Sequence, residues 1–282
     1  MIIIKDIVSL KTYVAKQKGE GKSIGFVPTM GFLHEGHLSL MEKAKSENQI
    51  VLASVYVNPT QFGPSEDYDA YPRDEKRDSE LLERVGVDAC FFPSNELMYP
   101  RGYQTYIETQ GPLVKRLCGA KREGHFKGVT TIVGKLFNLV QPDRAYFGQK
   151  DAQQVAVIER MVEDLNIPVA IVPCPIVREA DGLAMSSRNK YLRGEARLQA
   201  LVLKGALDKA LEQIALGERS AERIEKYMLS IILKANKARI DYIEIVDRET
   251  LEPLAKLQGR VLIALAVFID DTRLIDNCFL EV

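Results

Sequence analysis

For roughly its first 175 residues the chain alternates short apolar runs with segments of helical period, and this alternation limits the possible folds more than any other feature. Residues 23–27 and 50–57 predict buried strands, the second rich in β-branched side chains. Residues 74–85 predict a helix, 89–92 a short strand, 129–140 a helix, 144–147 a strand and 152–165 an amphipathic helix. Residues 169–172 predict a strand ended by Pro173. Strands alternating with helices imply an α/β fold, a doubly wound parallel sheet. The rest differs. Residues 195–216 and 221–238 read as two long helices, and 240–246, 261–268 and 278–282 as strands. Helices followed by strands suggest a smaller C-terminal α+β domain. The expected division is 1–177 and 178–282, with Gly182 and the polar run 186–189 near a hinge.

Composition excludes several classes. A 46% apolar and 27% charged chain of 282 residues is that of an ordinary globular protein. A net charge of −1 gives no footprint for nucleic acid or an anionic membrane surface. The apolar start, residues 1–4, is cut off by Lys5 and Asp6 and is too short for a signal-peptide core. No apolar run reaches membrane-spanning length. Cys90, Cys118, Cys174 and Cys278 are scattered without a Cys-x-x-Cys and read as small buried hydrophobes in a reducing compartment, the cytoplasm.

Two of the three histidines fall in one unit, His34-Glu35-Gly36-His37, behind Pro28-Thr29-Met30-Gly31-Phe32-Leu33. A strand, a glycine-containing turn and a helix start form a ready anion site, because unpaired amides and the helix dipole both favour negative charge. Phosphate chemistry follows, most simply that of a nucleotide. A zinc-protease reading needs His-Glu-x-x-His, one residue longer, to set both rings on one helical face. Gly21-Lys22-Ser23 resembles the end of a P-loop, but position 16 is Lys where that loop needs Gly, and the segment precedes its strand; it reads as a turn.

Ligands of open α/β sheets bind outside the carboxyl ends of the strands. Four expected strands end in polar or glycine-containing segments: the histidine unit, Asn58-Pro59-Thr60-Gln61-Phe62-Gly63, Gly148-Gln149-Lys150-Asp151 with Gln153 and Gln154 beyond it, and Pro173-Cys174-Pro175 leading to Val177 and Met185-Ser186-Ser187-Arg188. The third histidine, His125, lies between Gly124 and Gly128 ahead of a helix, which suggests a further anion-binding loop.

These segments resemble, in order, the motifs of the pantoate–β-alanine ligases (pantothenate synthetases). The resemblance is carried by Pro28-Thr29-Met30-Gly31 with the His-x-Gly-His unit, Asn58-Pro59-x-Gln61-Phe62, Tyr71-Pro72-Arg73, Gly124-His125-Phe126-x-Gly128-Val129, Phe147-Gly148-x-Lys150-Asp151-x-Gln153-Gln154 and Met185-Ser186-Ser187-Arg188-Asn189. It spans about residues 24–192; beyond 195 only the general character matches. It implies membership of the His-x-Gly-His nucleotidyltransferase group with its Rossmann-like doubly wound core, ATP with Mg²⁺, a homodimer, and a place in vitamin B5 and coenzyme A biosynthesis. The wider group carries Lys-Met-Ser-Lys-Ser where this chain has Ala184-Met185-Ser186-Ser187-Arg188, a variant the pantoate ligases share, which disfavours an aminoacyl-tRNA synthetase.

The resemblance also implies roles. His34, His37 and Lys150 would be catalytic. Met30, His34, Gly36, His37, Gly148, Lys150, Asp151, Val177, Met185, Ser186, Ser187 and Arg188 would bind ATP. Gln61, Gln154, Met30, Phe62 and His125 would bind pantoate, Arg122 would be a further substrate or phosphate contact, and Asp78 would be a magnesium contact. The reaction would run through pantoyl adenylate to pantothenate, AMP and pyrophosphate, with β-alanine as the amine and the C-terminal unit acting as a lid against hydrolysis. Two rivals remain at this level: a nucleotidyltransferase of another small acid or phosphate, and a non-catalytic nucleotide-binding module.

Overall fold

The computed structural model describes residues 1–64 and 66–282. In chain order the strands and helices are β1 (Ile2–Ile4), α1 (Ile7–Gly19), β2 (Ile24–Thr29), α2 (Glu35–Glu47), β3 (Ile50–Val55), α3 (Glu75–Arg84), β4 (Ala89–Phe91), α4 (Asn95–Met98), α5 (Leu117–Lys121), α6 (His125–Val140), β5 (Arg144–Gly148), α7 (Ala152–Asp164), β6 (Ala170–Cys174), α8 (Glu195–Gln199), α9 (Val202–Ala215), α10 (Ala221–Ile232), β7 (Ala238–Asp247), β8 (Arg260–Ile269) and β9 (Thr272–Glu281). Contacts divide the chain into two units. One holds Met1–Gln110, Lys121–Gln149 and Gln154–Pro175; the other holds Gly111–Ala120, Lys150–Gln153 and Ile176–Val282. The main boundary thus falls two residues before the expected one, and two short earlier segments, Gly111–Ala120 and Lys150–Gln153, belong with the second unit.

The first unit is a parallel sheet in the order β1-β4-β3-β2-β5-β6. Successive side chains of a strand face opposite sides. Ile24, Phe26, Ile50 and Leu52 therefore join a core with α1, α6 and α7, while Val27, Val51 and Ala53 join another with α2 and α3. Both faces are covered, which is why these strands read as continuous apolar runs.

Three differences from the sequence reading have local causes. The apolar start is an edge strand paired with β4. Pro173 lies inside β6 instead of ending it; β6 is the outermost strand, where a missing N–H costs no ladder bond. The α6 helix begins at His125, because Gly124 takes φ +75 as its N-cap.

In the second unit β7, β8 and β9 form an antiparallel sheet. One face packs with α8, α9 and α10 into a core that includes Leu203, Leu207, Ile224, Met228, Ile263 and Leu265. The expected helix over 195–216 is split, since hydrogen bonds tighten to i→i+3 at Leu201 to Leu198 and Leu203 to Ala200. The helix over 221–238 stops at Ile232, and Ala238 instead pairs with Ile269. Among the described residues no helix is long and apolar enough to cross a membrane.

Candidate active site

The chain leaves β2 for β3 and β4 on one side and later returns to β5 and β6 on the other. The sheet therefore reverses direction between β2 and β5, the point where open α/β sheets bind ligands. The histidine unit follows β2 directly.

The turn that delivers it is tightly determined. Gly31 has φ +82, and a Cβ there would lie 2.8 Å from Val55 Cγ1 and 2.9 Å from Asp78 Oδ2. Phe32 is also left-handed, at φ +49, a conformation that costs a non-glycine residue about 1–3 kcal/mol and must be imposed by its surroundings. Asp78 of α3 imposes it. Its Oδ2 accepts from the Phe32 amide at 2.7 Å and its Oδ1 from the Leu33 amide at 2.8 Å. Arg77 donates to the Leu33 carbonyl at 2.8 Å and stands 5.0 Å over the Phe32 ring. Burial pushes the Asp78 carboxyl above its ordinary range, against the pull of the Leu33 and Phe32 amides and of Arg77. Asp78 is 1% exposed and both its oxygens are taken by the loop. Asp78 thus holds the turn that carries the histidine unit.

His34 is the N-cap of α2, in extended conformation. His37 Nδ1 accepts a hydrogen bond from the His34 amide at 3.3 Å. With Nδ1 accepting, the neutral ring carries its proton on Nε2, so a donor is turned away from the helix's own first turn. The two ring centroids lie 4.0 Å apart, tilted by 36°. Two imidazoles at the N-terminus of a 13-residue helix make a compact donor surface suited to phosphate oxygens.

A second cluster follows β3. Asn58, 1% exposed, donates from Nδ2 to the Gln61 Oε1 at 3.1 Å and to the Gly128 carbonyl at 3.1 Å. Its Oδ1 accepts from Thr60 at 3.0 Å and from the Tyr99 hydroxyl at 2.7 Å. Gln61 Nε2 donates to Met30 Sδ at 3.0 Å, so the first and second strand ends meet there. Phe62 packs edge-to-face on Tyr68 and Tyr71. Gly128 lets α6 lie against this turn; a Cβ there would sit 2.3 Å from the Thr60 carbonyl oxygen.

His125 lies beside this cluster. Its Nδ1 lies 2.7 Å from the Gln61 carbonyl, which can only accept, and its Nε2 lies 2.9 Å from Arg122 Nη1, which can only donate. Both ring nitrogens are engaged and the residue is 8% exposed. His125 thus buttresses Gln61. Arg122 forks onto Glu66 at 2.5 and 2.7 Å. Burial pushes the Glu66 carboxyl up, but Arg122 and the Gly63 amide outweigh it and hold it below its ordinary 4.5. Gln154 is half-buried in the first turn of α7, and Gly148 ends β5.

The remaining residues belong to the second unit. Lys150, its side chain 22% exposed, has its ammonium 3.8 Å from Asp151. Gln153 is structural: it donates to the carbonyls of Leu113 and Arg116 at 2.8 Å each. Met185 donates its amide to the Val177 carbonyl at 3.0 Å. Ser186 caps the turn Ser187–Tyr191, accepting from the Arg188 amide at 3.2 Å. Sequence reading missed Thr60 and Tyr99 as supports of Asn58, and Glu66 as the partner of Arg122. A buried Asn beside Pro59 was the only local signal.

Comparison with known proteins agrees with this geometry. The family model for pantoate-beta-alanine ligase matches residues 2–279. The chain is 57% identical to a pantothenate synthetase of Caldicellulosiruptor saccharolyticus over 282 residues, all of both chains. It is 56% identical to that of Moorella thermoacetica, covering 100% of this chain and 99% of the relative. Among solved structures, the pantothenate synthetase of Thermus thermophilus superposes with TM-score 0.94 at 46% identity, covering 99% of each chain. The pantoate-beta-alanine ligase of Francisella tularensis, described as complexed with beta-gamma ATP and beta-alanine, gives TM-score 0.77 at 36% identity over 99% of this chain and 97% of that one. Its motifs, its sheet and its relatives over the full length agree: the chain belongs to the pantoate-beta-alanine ligase family.

Proposed function

We propose that this protein condenses (R)-pantoate with β-alanine, using ATP, to give pantothenate, AMP and pyrophosphate through an enzyme-bound pantoyl adenylate. The observation that carries the reading is the His-x-Gly-His unit at the reversal point of the sheet, with His37 held in the tautomer that offers Nε2–H outward. In the first step the pantoate carboxylate attacks the α-phosphorus and pyrophosphate leaves. In the second the β-alanine amine attacks the acyl carbon and AMP leaves. Such chemistry needs positioning and charge stabilisation more than covalent help.

In this proposal His34 and His37 donate to the phosphates as charge moves onto pyrophosphate, and Lys150 supplies a point charge near the α-phosphate. Ser186, Ser187 and Arg188 hold the β- and γ-phosphates; Met30, Gly36, Gly148, Asp151, Val177 and Met185 complete the ATP contacts. Gln61 and Gln154 offer donors and acceptors to pantoate's hydroxyls and carboxylate, and Met30 and Phe62 face its methyl groups. Mg²⁺ enters with ATP as part of that substrate, coordinated mainly by phosphate oxygens and water. A homodimer rests on family membership alone, and a cytoplasmic location is supported by four cysteines without a disulfide.

The test is pyrophosphate-dependent isotope exchange into ATP with Mg²⁺ and pantoate but no β-alanine. Exchange that requires pantoate, followed by AMP and pantothenate once β-alanine is added, is the expected result. ATP binding without exchange would overturn the adenylate step.

A further inference from the structure

Strand β9 carries two adjacent buried polar residues, Asp276 and Asn277, 2% and 3% exposed, between Leu274 and Ile275 on one side and Cys278 and Phe279 on the other. Neighbours on a strand face opposite sides. Asp276 shares its side with Leu274, Cys278 and Leu280, which pack into the helix-covered core. Arg178 reaches it with both arms, Nη1 to Oδ2 at 2.7 Å and Nη2 to Oδ1 at 3.0 Å, and also donates to the Gly182 carbonyl at 3.1 Å. Arg178 pairs with Ala184 in a small antiparallel bridge closed by Glu179 N–H to the Leu183 carbonyl at 2.8 Å. That bridge leads straight into Met185-Ser186-Ser187-Arg188, and β9 itself packs on the turn Ser187–Tyr191.

From the other face Asn277 Nδ2 donates to the backbone carbonyl of Lys150 at 2.9 Å. The Asn277 amide in turn donates to Asp276 Oδ1 at 2.8 Å. A short run of β9 thus touches the serine–arginine segment through Arg178 and the lysine segment through Asn277. A buried ion pair adds little stability over apolar side chains of similar volume. Its bidentate geometry does fix direction.

We propose that Arg178, Asp276 and Asn277 are positioning residues for adenylation: they fasten Lys150 and the segment 186–188 to one strand, and so hold the charge for the α-phosphate at a set distance from the donors for the β- and γ-phosphates. This rests on the roles given above to Lys150 and to Ser186, Ser187 and Arg188. A frame of this kind acts chiefly on the first half-reaction, which needs both sets of donors at once; the second involves only the α-phosphate.

The decisive variant is Asn277→Asp, which keeps the shape, removes the donor and turns a carboxylate oxygen toward the Lys150 carbonyl. Pantoate-dependent pyrophosphate exchange should fall by about 10- to 100-fold in kcat, while aminolysis of preformed pantoyl adenylate falls much less and the KM for β-alanine stays unchanged. Asn277→Ser, which retains a donor, should recover part of the rate. Asp276→Asn should give the same split, with a raised KM for ATP, and serves if Asn277→Asp does not fold. Val267→Ala, in the buried core of the same sheet, controls for stability: it should lower Tm and leave exchange per folded molecule intact. Equal exchange in Asn277→Asp and Val267→Ala, or equal losses in both half-reactions, would overturn the proposal. Lost exchange in Lys150→Ala beside full exchange in Asn277→Asp would overturn it alone; full exchange in Lys150→Ala would overturn the role of Lys150 as well.

Discussion

The loop after β2 and the segments around Lys150 and Ser186 are held in place by different means. The β2 loop is fastened at short and middle range: His37 caps the His34 amide three residues away, and Asp78, 45 and 46 residues on, holds the Leu33 and Phe32 amides. Lys150 and the serine–arginine segment are fastened across the chain, through Asn277 at a separation of 127 residues and through the pair of Arg178 with Asp276 at 98. A self-capped helix start is rigid whenever its helix is formed, whereas a segment tied to a distant strand is only as well placed as that strand.

Removing one preorganised donor from a site of charge development costs about 10²–10³ in rate. His37→Ala should lose that much pantoate-dependent exchange while its thermal midpoint hardly moves; near-normal turnover would remove His37 from the mechanism. Asp78→Ala should cost about 2–4 kcal/mol in urea unfolding, because two buried amides lose their acceptor, and should slow exchange by releasing the histidine loop. Unchanged exchange in a folded Asp78→Ala protein would show that the loop holds itself.

Gly128→Ala sharpens the comparison at the second cluster. Its Cβ would press on the Thr60 carbonyl, and overpacking of this kind costs about 1–3 kcal/mol. Displacement of Gln61 should raise the KM for pantoate more than that for ATP; equal increases would argue against Gln61 as a pantoate contact.

The smallest expected effect is at Glu66. Its carboxyl is held below the ordinary 4.5 in the folded state, so its contribution is present above that value and is lost as pH falls through the lower folded value. Glu66→Gln should reduce stability by about 1 kcal/mol at neutral pH and flatten the acid limb of the stability curve measured between about pH 5 and 3. An acid limb identical to that of the parent would assign the Arg122 contact no net stabilisation.

How much was legible follows from distance along the chain. The apolar runs of β2 and β3, the amphipathic α7 and the histidine unit are local patterns, and the sequence reading located them to within a few residues. Asp78 and His125 were legible as polar residues near motifs but not by role, since a carboxylate looks alike whether it meets a metal or two backbone amides 45 and 46 residues away. The edge strand β1 was overlooked because three residues carry no period; only pairing with β4 makes them a strand.

The sequence by itself determined the parallel α/β class, the smaller α+β unit and the strand-to-helix turn that presents His34 and His37, because backbone geometry and side-chain period are set by near neighbours. Tertiary structure alone decided that Asp78 holds a loop, that His125 braces Gln61, and that Lys150–Gln153 pack with the second unit. Those outcomes depend on which buried donor finds which acceptor. That choice is made only when distant segments are brought together and every buried polar group must be satisfied.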